Sequence, residues 1–502
     1  MAKTSNGAEA IVLRKFGINE RYQLAMYLLD QYRGTTVSCR YEISTRLAAA
    51  ELQTAIKIAV VDVIMRHPML QVGMIDAMSK IPSWIQLPSL DLTEHIKWVY
   101  LTESDDFERR VMEAFCAQLD EHFPDLSIGR PGWKVTIIRQ GNAPVMEVLL
   151  TWNHPWFDAM GAKAFHEDLL EMLNAENGIR ERTGLDGDIL KLPPTPPLLP
   201  TPLEDLRNLP MDLRYLAKAL WEETRPQFLN RDKSWAAWCP IRGAPYKTQF
   251  RAFFVAKPSL AALQALCRKN KTTITGLLSA LALISFSLRL DATVAPAFQS
   301  ATIVDHRRNL PPMPNGAPWG GPDRAVSNYV TQCFHRWDTG LVARVRSKLP
   351  RDAGEGEDLP ADLLAELWTV AALNRREIVN KLEDALRNDI VGLFKYVTDW
   401  KQTMSNMAKR TRQFSWLVTN IGVMNGDCHN LARHGQGWSI SRAQFGLSTE
   451  VPAAAIEFSP VSVAGRGMCV GASWGDSALD VTFGERILAD MERWLAQLAR
   501  QP

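Results

Sequence analysis

The chain has almost no excess of charge of either sign. Its 502 residues include 57 Lys and Arg against 55 Asp and Glu, which leaves a formal net charge of +2 at neutral pH. Nucleic acids and anionic membranes attract proteins with a basic excess, so this balance argues against both as partners. A chain of this length with 46% hydrophobic residues can bury a large core, organised as two or three domains.

Long uninterrupted apolar runs are also absent. The largely apolar run at residues 274–288 is broken by Thr, Gly and Ser, and it is too short to span a bilayer. The first seven residues, Met-Ala-Lys-Thr-Ser-Asn-Gly, contain no apolar stretch of the kind that a secretory signal requires. We therefore expect a cytoplasmic protein with no stable insertion into a membrane.

Cysteine is sparse and follows no metal-binding spacing. The seven cysteines are scattered and form no Cys-x-x-Cys pair. Their odd number and wide spacing are typical of reduced thiols in a cytosolic protein, and we expect no metal site. The adjacent pair Cys428-His429 would need further ligands nearby to hold zinc, so we interpret it as structural or incidental.

Two stretches of alternating strands and amphipathic helices make up most of the chain. The first has predicted strands at 35–43 and 70–74, helices at 51–65 and 162–173, and a hairpin of 133–138 with 145–152. The second has predicted strands at 248–255, 301–304 and 415–421, helices at 259–269, 275–288, 361–387 and 486–499, and a hairpin of 460–463 with 468–473. This order predicts an α/β fold of two subdomains, each a mixed β-sheet with packed helices.

A proline-rich segment separates the two stretches. Residues 192–202 read Leu-Pro-Pro-Thr-Pro-Pro-Leu-Leu-Pro-Thr-Pro, which is too stiff for a core element and is typical of a crossover or linker. We predict an N-terminal subdomain at 1–190, a linker at 191–212 and a C-terminal subdomain at 213–502. Small-molecule sites favour the clefts between such units, so we expect the site at their interface.

The most informative motif is the segment 153–161, Asn-His-Pro-Trp-Phe-Asp-Ala-Met-Gly, which follows a predicted strand and precedes a predicted helix. A histidine at the end of a strand can serve as the base that deprotonates an attacking hydroxyl. His154 is the candidate base, and Asp158, four residues later, can hold the loop that aims it. The alternative is that His154 has only a structural role, as a packed histidine that caps its own loop. Three other histidines, His67, His166 and His306, are expected to cap or pack, with substrate lining open for His306.

The ordered motifs resemble those of the fungal alcohol acetyltransferase family. That family belongs to the CoA-dependent acyltransferases with the chloramphenicol acetyltransferase fold, together with plant BAHD enzymes and peptide-synthetase condensation domains. The motifs are residues 14–22 (Arg-Lys-Phe-Gly-Ile-Asn-Glu-Arg-Tyr), 66–70 (Arg-His-Pro-Met-Leu), the 154–158 loop with 165–170 behind it, 304–307 (Val-Asp-His-Arg), 391–396 (Val-Gly-Leu-Phe-Lys-Tyr), 418–422 (Val-Thr-Asn-Ile-Gly) and 439–445 (Ser-Ile-Ser-Arg-Ala-Gln-Phe).

The resemblance implies a mechanism and assigns residues to it. His154 matches the catalytic base, and Asp158 matches a structural aspartate that pairs with an arginine, for which Arg307 is the candidate; Arg307 as an ordinary surface cation is the alternative. The candidates for oxyanion donors or tunnel-lining residues are Thr419, Asn420 and Ser448. No metal and no tightly bound cofactor is implied: acyl-CoA, in the first place acetyl-CoA, is the cosubstrate. The acceptor is expected to be a hydroxyl or amine of a small lipophilic secondary metabolite, and the protein a monomer.

Three features depart from the family pattern. One is the absence of an Asp-Phe-Gly-Trp-Gly motif of the BAHD type, to which residues 444–448 (Gln-Phe-Gly-Leu-Ser) are the nearest match. Asn153 stands where many relatives have a first histidine, and Ala159 stands where most have glycine; Gly161 lies two residues too late to replace it. These departures leave open a retooled enzyme that cyclises or rearranges a secondary metabolite without CoA. A non-catalytic binding protein is a third possibility, which the intact His154 and Asp158 pair disfavours.

Overall fold

The computed structural model describes residues 10–43, 49–123, 130–175, 182–224, 232–312, 316–349, 357–427 and 437–500. The strands are β1 (Val12–Lys15), β2 (Gly34–Ile43), β3 (Val72–Ile75), β4 (Ser83–Gln86), β5 (Ser89–Asp91), β6 (Ile96–Leu101), β7 (Trp133–Gln140), β8 (Val145–Asn153), β9 (Leu185–Asp186), β10 (Ile189–Lys191), β11 (Thr248–Val255), β12 (Phe298–Asp305), β13 (Val330–Trp337), β14 (Trp416–Val418), β15 (Val423–Met424), β16 (Trp438–Leu447), β17 (Ile456–Val463) and β18 (Met468–Gly475). The helices are α1 (Ile18–Leu28), α2 (Ala49–Arg66), α3 (Phe107–Leu119), α4 (Ala159–Leu173), α5 (Leu203–Leu206), α6 (Leu213–Thr224), α7 (Lys257–Lys269), α8 (Ile274–Arg289), α9 (Thr339–Ser347), α10 (Ala361–Glu383), α11 (Ile390–Phe394), α12 (Trp400–Met407) and α13 (Val481–Ala499).

Two mixed sheets dominate the fold, as the sequence predicted. Across the described ranges, a five-stranded sheet has the order β16-β2-β8-β7-β6. A seven-stranded sheet has the order β11-β18-β17-β14-β12-β13, with β15 added to β17. The central strands of both sheets are buried on both faces, because helices and loops cover them. The predicted α/β class with two sheet-and-helix units is therefore confirmed.

One strand joins the two halves of the chain. β16 lies late in the sequence, yet it pairs antiparallel with β2, placing Phe445 opposite Val37 and Leu447 opposite Thr35. The five-stranded sheet is thus completed by a strand from the far side of the proline-rich segment. The division into 1–190, 191–212 and 213–502 stays a prediction. β16 belongs to the last of these ranges by sequence, but it pairs with β2 of the first.

The helix α8 shows why a nearly all-apolar segment can belong to a core. It packs between the seven-stranded sheet and the helices α10 and α13, and twelve of its residues are buried. In the part of the chain that the structure describes, no helix on its own is long and apolar enough to cross a membrane. α7 and α8 reach that length and composition only as a pair, and the two are bent by 90°.

The proline-rich segment packs along the N-terminal half. The carbonyl oxygen of Thr201 accepts a hydrogen bond from the hydroxyl of Tyr329 at 2.8 Å, and that of Pro200 accepts one from Arg14 at 3.2 Å. Its proline carbonyls are free to accept because they are not used in a helix or a sheet ladder. The segment therefore contacts both halves of the chain.

Several element boundaries differ from the sequence predictions. Residues 68–70 form a 3-10 turn, so the strand predicted at 70–74 begins at Val72. The strand predicted at 415–421 ends at Val418, and the long helix predicted to reach residue 387 ends at Glu383. Ala385 and Leu386 adopt positive φ angles of 46° and 71°, which an α-helix cannot continue through. α3, β13 and β16 were not predicted.

Candidate active site

The loop between β8 and α4 is fixed at its far end by Asp158. This residue has extended backbone geometry, and its Oδ1 accepts a hydrogen bond from the main-chain N–H of Gly161 at 3.0 Å. It is the N-cap of α4, because the first N–H groups of a helix have no partner inside the helix. The cap sets where the loop ends, and therefore where His154 lies relative to the helix.

Asp158 also forms a buried, two-point ion pair with Arg307. The arginine Nη1 lies 2.9 Å from Oδ2, and Nη2 lies 2.8 Å from Oδ1. The N–H of Tyr329 donates to Oδ2 at 2.9 Å, so the carboxylate accepts four hydrogen bonds in all. Both side chains are almost fully buried, and the structure thus brings together the two residues that the resemblance paired. A carboxylate that accepts four hydrogen bonds has little capacity left for a further ligand.

Both terminal nitrogens of the Arg307 guanidinium are hydrogen-bonded, whereas Nε has no partner among the described residues. Besides Asp158 the guanidinium contacts Oδ1 of Asp305 at 2.9 Å and the carbonyl oxygens of Ala325 and Ser327 at 2.8 and 3.0 Å. Burial works to lower the pKa of Arg307, but the charges of the two aspartates outweigh it and raise that pKa. The result is a permanent cation that ties the β12 end and the 325–329 segment to the base of α4.

His154 lies at the cavity end of the same loop. Its side chain is 8% exposed and lines the cavity, and its carbonyl oxygen accepts a hydrogen bond from Nδ2 of Asn328 at 2.8 Å. Asn328 also donates to the carbonyl of Pro155 at 3.1 Å, so one amide holds two consecutive residues of the loop. Nδ1 of His154 has no hydrogen-bond partner of good geometry among the described residues.

The surroundings keep the imidazole of His154 neutral. Burial lowers its pKa from the usual 6.5, and the charge of Asp158, the residue's own main-chain carbonyl and Asn328 oppose this only in part. A neutral imidazole has a free lone pair at physiological pH. His154 can therefore accept a proton from a group that enters the cavity.

The cavity lies between the two sheets and takes its wall from both. It spans about 960 Å³ when the open space at its mouth is included. The first half of the chain contributes His154, Tyr32 and Ala159, and the second half contributes Leu417 and Thr419. The rings of Tyr32 and His154 are 5.7 Å apart between centroids, so the base lies beside an aromatic wall.

The three candidate donors differ in position. Thr419 follows β14, lines the cavity and is 7% exposed, and its Oγ1 has no partner among the described residues. Asn420 also lines the cavity, but its amide is bonded to Oγ1 of Thr275 at 3.0 Å and to the N–H of Gly422 at 2.7 Å. Ser448 is fully buried outside the cavity wall, where its Oγ accepts from the N–H of Arg33 at 2.9 Å. Thr419 is the candidate with free hydrogen-bonding capacity.

The positions that depart from the family pattern lie in three different surroundings. Asn153 is fully buried at the end of β8, and neither side-chain polar atom has a partner among the described residues. Ala159 lines the cavity at the first turn of α4. A Cβ at Gly161 would come 3.1 Å from the ring and Cβ of Phe157, so this glycine permits close packing and does not widen the cavity.

The other histidines pack as the sequence predicted. His166 is fully buried, with Nε2 3.2 Å from the carbonyl of Val37, and burial lowers its pKa to about 4. His306 is bonded through Nε2 to Oγ1 of Thr331 at 2.8 Å and is not part of the cavity lining. His67 pairs with Asp168 away from the cavity. Cys428-His429 lies outside the described residues, and no group of three potential metal ligands occurs within them.

Sequence reasoning missed four residues of this site. Asn328 holds the loop, and Glu450, Glu457 and Tyr22 line the cavity. One signal was available: Glu457 is a charged residue inside the apolar strand Ile-Glu-Phe-Ser-Pro-Val-Ser-Val, where a buried carboxylate calls for a reason. The other three have no local pattern, because they reach the cavity only through the tertiary fold.

Comparison with known proteins agrees with this geometry. Residues 91–316 match the family model described as alcohol acetyltransferase. Over this region the chain is similar to the alcohol acetyltransferases. The resemblance seen in the sequence motifs is thereby confirmed, and the match supports an acyltransferase enzyme.

Relatives along the whole chain point the same way. A probable alcohol acetyltransferase, FCK4, of Fusarium pseudograminearum is 25% identical, with 100% of this chain and 98% of that protein aligned. Among solved structures, the TRI3 trichothecene 15-O-acetyltransferase of Fusarium sporotrichioides superposes with a TM-score of 0.70 at 14% identity, over 99% of this chain and 96% of that one. The condensation domain of the monacolin K polyketide synthase MokA gives 0.54 at 10% identity, over 98% and 99% of the two chains. These structures show the shared fold.

Proposed function

We propose that the protein transfers an acyl group, in the first place acetyl, from CoA to a hydroxyl of a small lipophilic acceptor, with an amine as the variant nucleophile. The observation that carries this proposal is the neutral imidazole of His154, which lines a cavity between two sheets on a loop that Asp158, Arg307 and Asn328 hold in place. The family match and the fold support it.

The reaction would proceed by direct attack. The imidazole of His154 takes the proton of the acceptor hydroxyl as the oxygen bonds to the thioester carbonyl carbon of acyl-CoA. The tetrahedral oxyanion then collapses, the carbon–sulfur bond breaks, and the leaving thiolate takes the proton back from the imidazolium. The ester and free CoA are the products, and no covalent acyl-enzyme forms.

The oxyanion needs a hydrogen-bond donor in this cavity. Oγ1 of Thr419 is free to donate a hydrogen bond. Thr419 lines the cavity from the second half of the chain, whereas His154 lines it from the first half. Removing one such donor typically slows an acyl transfer by about a hundred- to a thousandfold. We assign this role to Thr419 in preference to Asn420, whose amide already holds its own loop.

The acceptor is proposed from the walls and from the relatives. Much of the lining is apolar, including Ile303, Val330, Ile390 and Phe394. The Fusarium neighbour is described as an acetyltransferase of a trichothecene, a lipophilic secondary metabolite. A secondary metabolite of that general kind therefore suits the cavity. That the protein acts as a cytoplasmic monomer, with two subdomains divided at residues 191–212, stays a prediction.

The decisive test measures release of free thiol from acetyl-CoA and longer acyl-CoAs against a panel of lipophilic alcohols. We expect His154→Ala to lower kcat/KM by about a hundred- to ten-thousandfold. The same variant should melt close to the wild type, since Nδ1 of His154 makes no hydrogen bond among the described residues and the side chain faces a cavity. His122→Ala serves as the control, because His122 is about half exposed and is not part of the cavity lining.

The pH profile adds a second readout. Burial lowers the pKa of His154 below the ordinary histidine value of 6.5. We therefore expect kcat/KM to stay constant as the pH is lowered from 8 to 6.5, and to fall only at lower pH. Near-normal turnover by His154→Ala would contradict the assignment. If the wild type neither binds CoA nor releases it from any acyl-CoA, the cyclisation or rearrangement chemistry suggested by Asn153 and Ala159 takes its place.

A further inference from the structure

Two carboxyl groups that the mechanism does not use line the same cavity as His154. Glu457 lies on β17 and is 4% exposed, and its Oε2 has no hydrogen-bond partner among the described residues. Glu450 follows β16 and is half-buried, and its Oε1 accepts a hydrogen bond from the hydroxyl of Tyr22 at 2.9 Å. The two groups interact with each other electrostatically. They form an acidic patch on the wall, which we call the Glu450–Glu457 pair.

This pair has no cation of its own. Within the described part of the chain, neither carboxyl group has a Lys, Arg or His nitrogen within 4.0 Å. The positive charge of Arg412 attracts Glu457 and works to lower its pKa, but the guanidinium donates its hydrogen bonds to carbonyl oxygens and not to Glu457. It donates to Cys239 at 3.0 Å, to Ala453 at 2.9 Å and to Ala454 at 3.1 Å.

A buried acidic pair without a counter-ion is costly to the folded protein. A buried charge destabilises unless it is paired and hydrogen-bonded, and apolar residues of the same size would be more stable here. Burial raises the pKa of both residues, and in Glu457 the charge of Glu450 raises it further. The fold thus holds acceptor atoms in the cavity that its own residues leave unsatisfied.

The hydroxyl of Thr419, the proposed oxyanion donor, lies in the same wall as Glu457. Oγ1 of Thr419 is buried in the cavity wall and has no partner among the described residues. Leu417 of β14 pairs with Glu457 of β17, and Thr419 lies two residues after Leu417. The N–H of Thr419 donates a hydrogen bond to the carbonyl oxygen of Phe458 at 2.8 Å. The unsatisfied hydroxyl and the unsatisfied carboxyl therefore belong to adjacent strands of one wall.

We propose that the Glu450–Glu457 pair is the subsite that receives a protonated amine of the acceptor, while the acceptor's reacting hydroxyl lies at His154. This inference rests on the proposed function and names its substrate class: an amino alcohol or a larger amine-bearing alcohol with an apolar body. A compact ammonium group can donate to both carboxyl groups at once. The apolar lining accommodates the rest of the acceptor. Its ammonium group is the positive counter-ion that the described residues do not provide for Glu450 and Glu457.

Binding of such a cation is coupled to protons. The charged and titratable groups that face the pair are Tyr22 on α1, Tyr32 before β2 and Arg412 before β14, and none of these supplies a counter-ion contact. An ammonium that settles between the two carboxyl groups favours their ionised form, so it lowers the pKa values that burial had raised. Amine binding near neutral pH should therefore release protons, and binding of a neutral alcohol should not.

The test compares amino alcohols of graded chain length with alkanols in which a methyl group replaces the ammonium group. Acyl transfer to each is measured with acetyl-CoA on the wild type, on Glu450→Gln and on Glu457→Gln. We expect the wild type to favour the amino alcohol of the best length by at least about tenfold in kcat/KM, which corresponds to about 1.4 kcal/mol. Each glutamine variant should reduce that ratio to near one, because glutamine keeps the shape and removes the charge.

Calorimetry of the same amino alcohol gives a readout that needs no turnover. It is titrated into wild type and into His154→Ala in two buffers of different ionisation enthalpy, and the difference between the buffers counts the released protons. Glu492→Gln is the control, because Glu492 is exposed on α13 and far in the chain from the cavity residues. It should leave both the acceptor ratio and the proton release as they are in the wild type.

The outcomes separate this inference from the proposed function. Amine binding with proton release, lost in Glu457→Gln, supports the subsite even if no acyl group is transferred to any acceptor. Acylation of alkanols and amino alcohols with equal kcat/KM, and no proton release, overturns the subsite while leaving the acyl transfer intact. A preference for amines that survives in both glutamine variants also overturns it, since the cation would then bind elsewhere.

Discussion

Two acidic regions of one cavity differ in where their counter-charge comes from. Asp158 accepts four hydrogen bonds, two of them from the buried guanidinium of Arg307. The Glu450–Glu457 pair, in the opposite half of the chain, has one hydrogen bond from Tyr22 and no ion pair among the described contacts. Asp158 and Glu457 are 1% and 4% exposed, so for these two residues the difference lies in their partners and not in their exposure to solvent.

The partners of a buried carboxylate determine whether it can stabilise the fold or bind a ligand. A carboxylate whose counter-ion is built into the fold is satisfied at all times, and it can hold a loop but cannot respond to a ligand. A carboxyl pair without a built-in cation is a cost to the fold that a bound cation can offset. Three substitutions test this difference between the two acidic regions, and they follow in order of decreasing expected effect.

The largest effect should come from Asp158→Asn. It removes the more deeply buried of the two carboxylates that pair with Arg307 and leaves Asp305, which is 30% exposed, as the remaining one. Breaking a buried ion pair typically costs about 3–5 kcal/mol in free energy of unfolding, and the pair with Asp305 should keep the loss at the lower end of that range. We expect a clear fall in melting temperature together with a loss of activity, whereas His154→Ala should lose activity alone. If Asp158→Asn melts like the wild type and only its activity falls, Asp158 takes part in the chemistry directly and the comparison fails on this side.

Glu457→Gln should act on stability in the opposite direction, and its effect should depend on pH. Burial raises the pKa of Glu457 well above its ordinary value of 4.5, so the folded protein keeps this group protonated where the unfolded chain ionises it. The stability that this gives is present below about pH 4.5 and is lost as the pH rises towards the folded pKa. Glutamine cannot ionise.

The measurement is the free energy of unfolding of both proteins at a series of pH values. The wild type should lose stability relative to Glu457→Gln as the pH rises above 4.5, by up to about 1.4 kcal/mol per pH unit. A difference that stays constant from pH 4.5 to 8 would mean that a partner for Glu457 exists in the fold after all.

The smallest effect should come from Ala159→Gly, which changes the cavity wall without touching either acidic region. Ala159 lines the cavity, and a methyl group there is worth roughly 1–3 kcal/mol at most in discrimination between substrates. We expect a shift of kcat/KM towards bulkier donors or acceptors, of about tenfold or less. Kinetics with partners of graded size would show it, and an unchanged size profile would place the limiting width elsewhere.

Much of the fold followed from local patterns. The strands β2, β7, β8 and β11 and the helices α7, α8 and α13 matched their predicted places closely, because alternation and helical periodicity are properties of short segments. The boundaries at Val72, Val418 and Glu383 did not, since a 3-10 turn, a cavity loop and positive φ angles depend on what the segment packs against.

The site divides along the same line. The strand–His–x-x-x-Asp–helix order predicted the loop and its cap, and the resemblance pointed to Arg307 from 149 residues away, which the structure places against Asp158. Ser448 was expected near the tunnel, but it is buried outside the cavity lining, because contacts with residues 33 and 34, distant in the chain, fix its position: its Oγ accepts from the N–H of Arg33, and its own N–H donates to the carbonyl of Gly34. The roles of these residues in catalysis stay predictions that the variants above would test.

By itself, the sequence determined the α/β class, most of the elements and the loop that carries the histidine, because these depend on residues close together in the chain. Only the tertiary structure decided which charges meet. Arg307, just beyond β12, reaches Asp158 at the start of α4, whereas among the described residues no cation forms an ion pair with Glu457 on β17. Coulomb attraction and desolvation depend on distance in space, so a pattern along the chain cannot supply them.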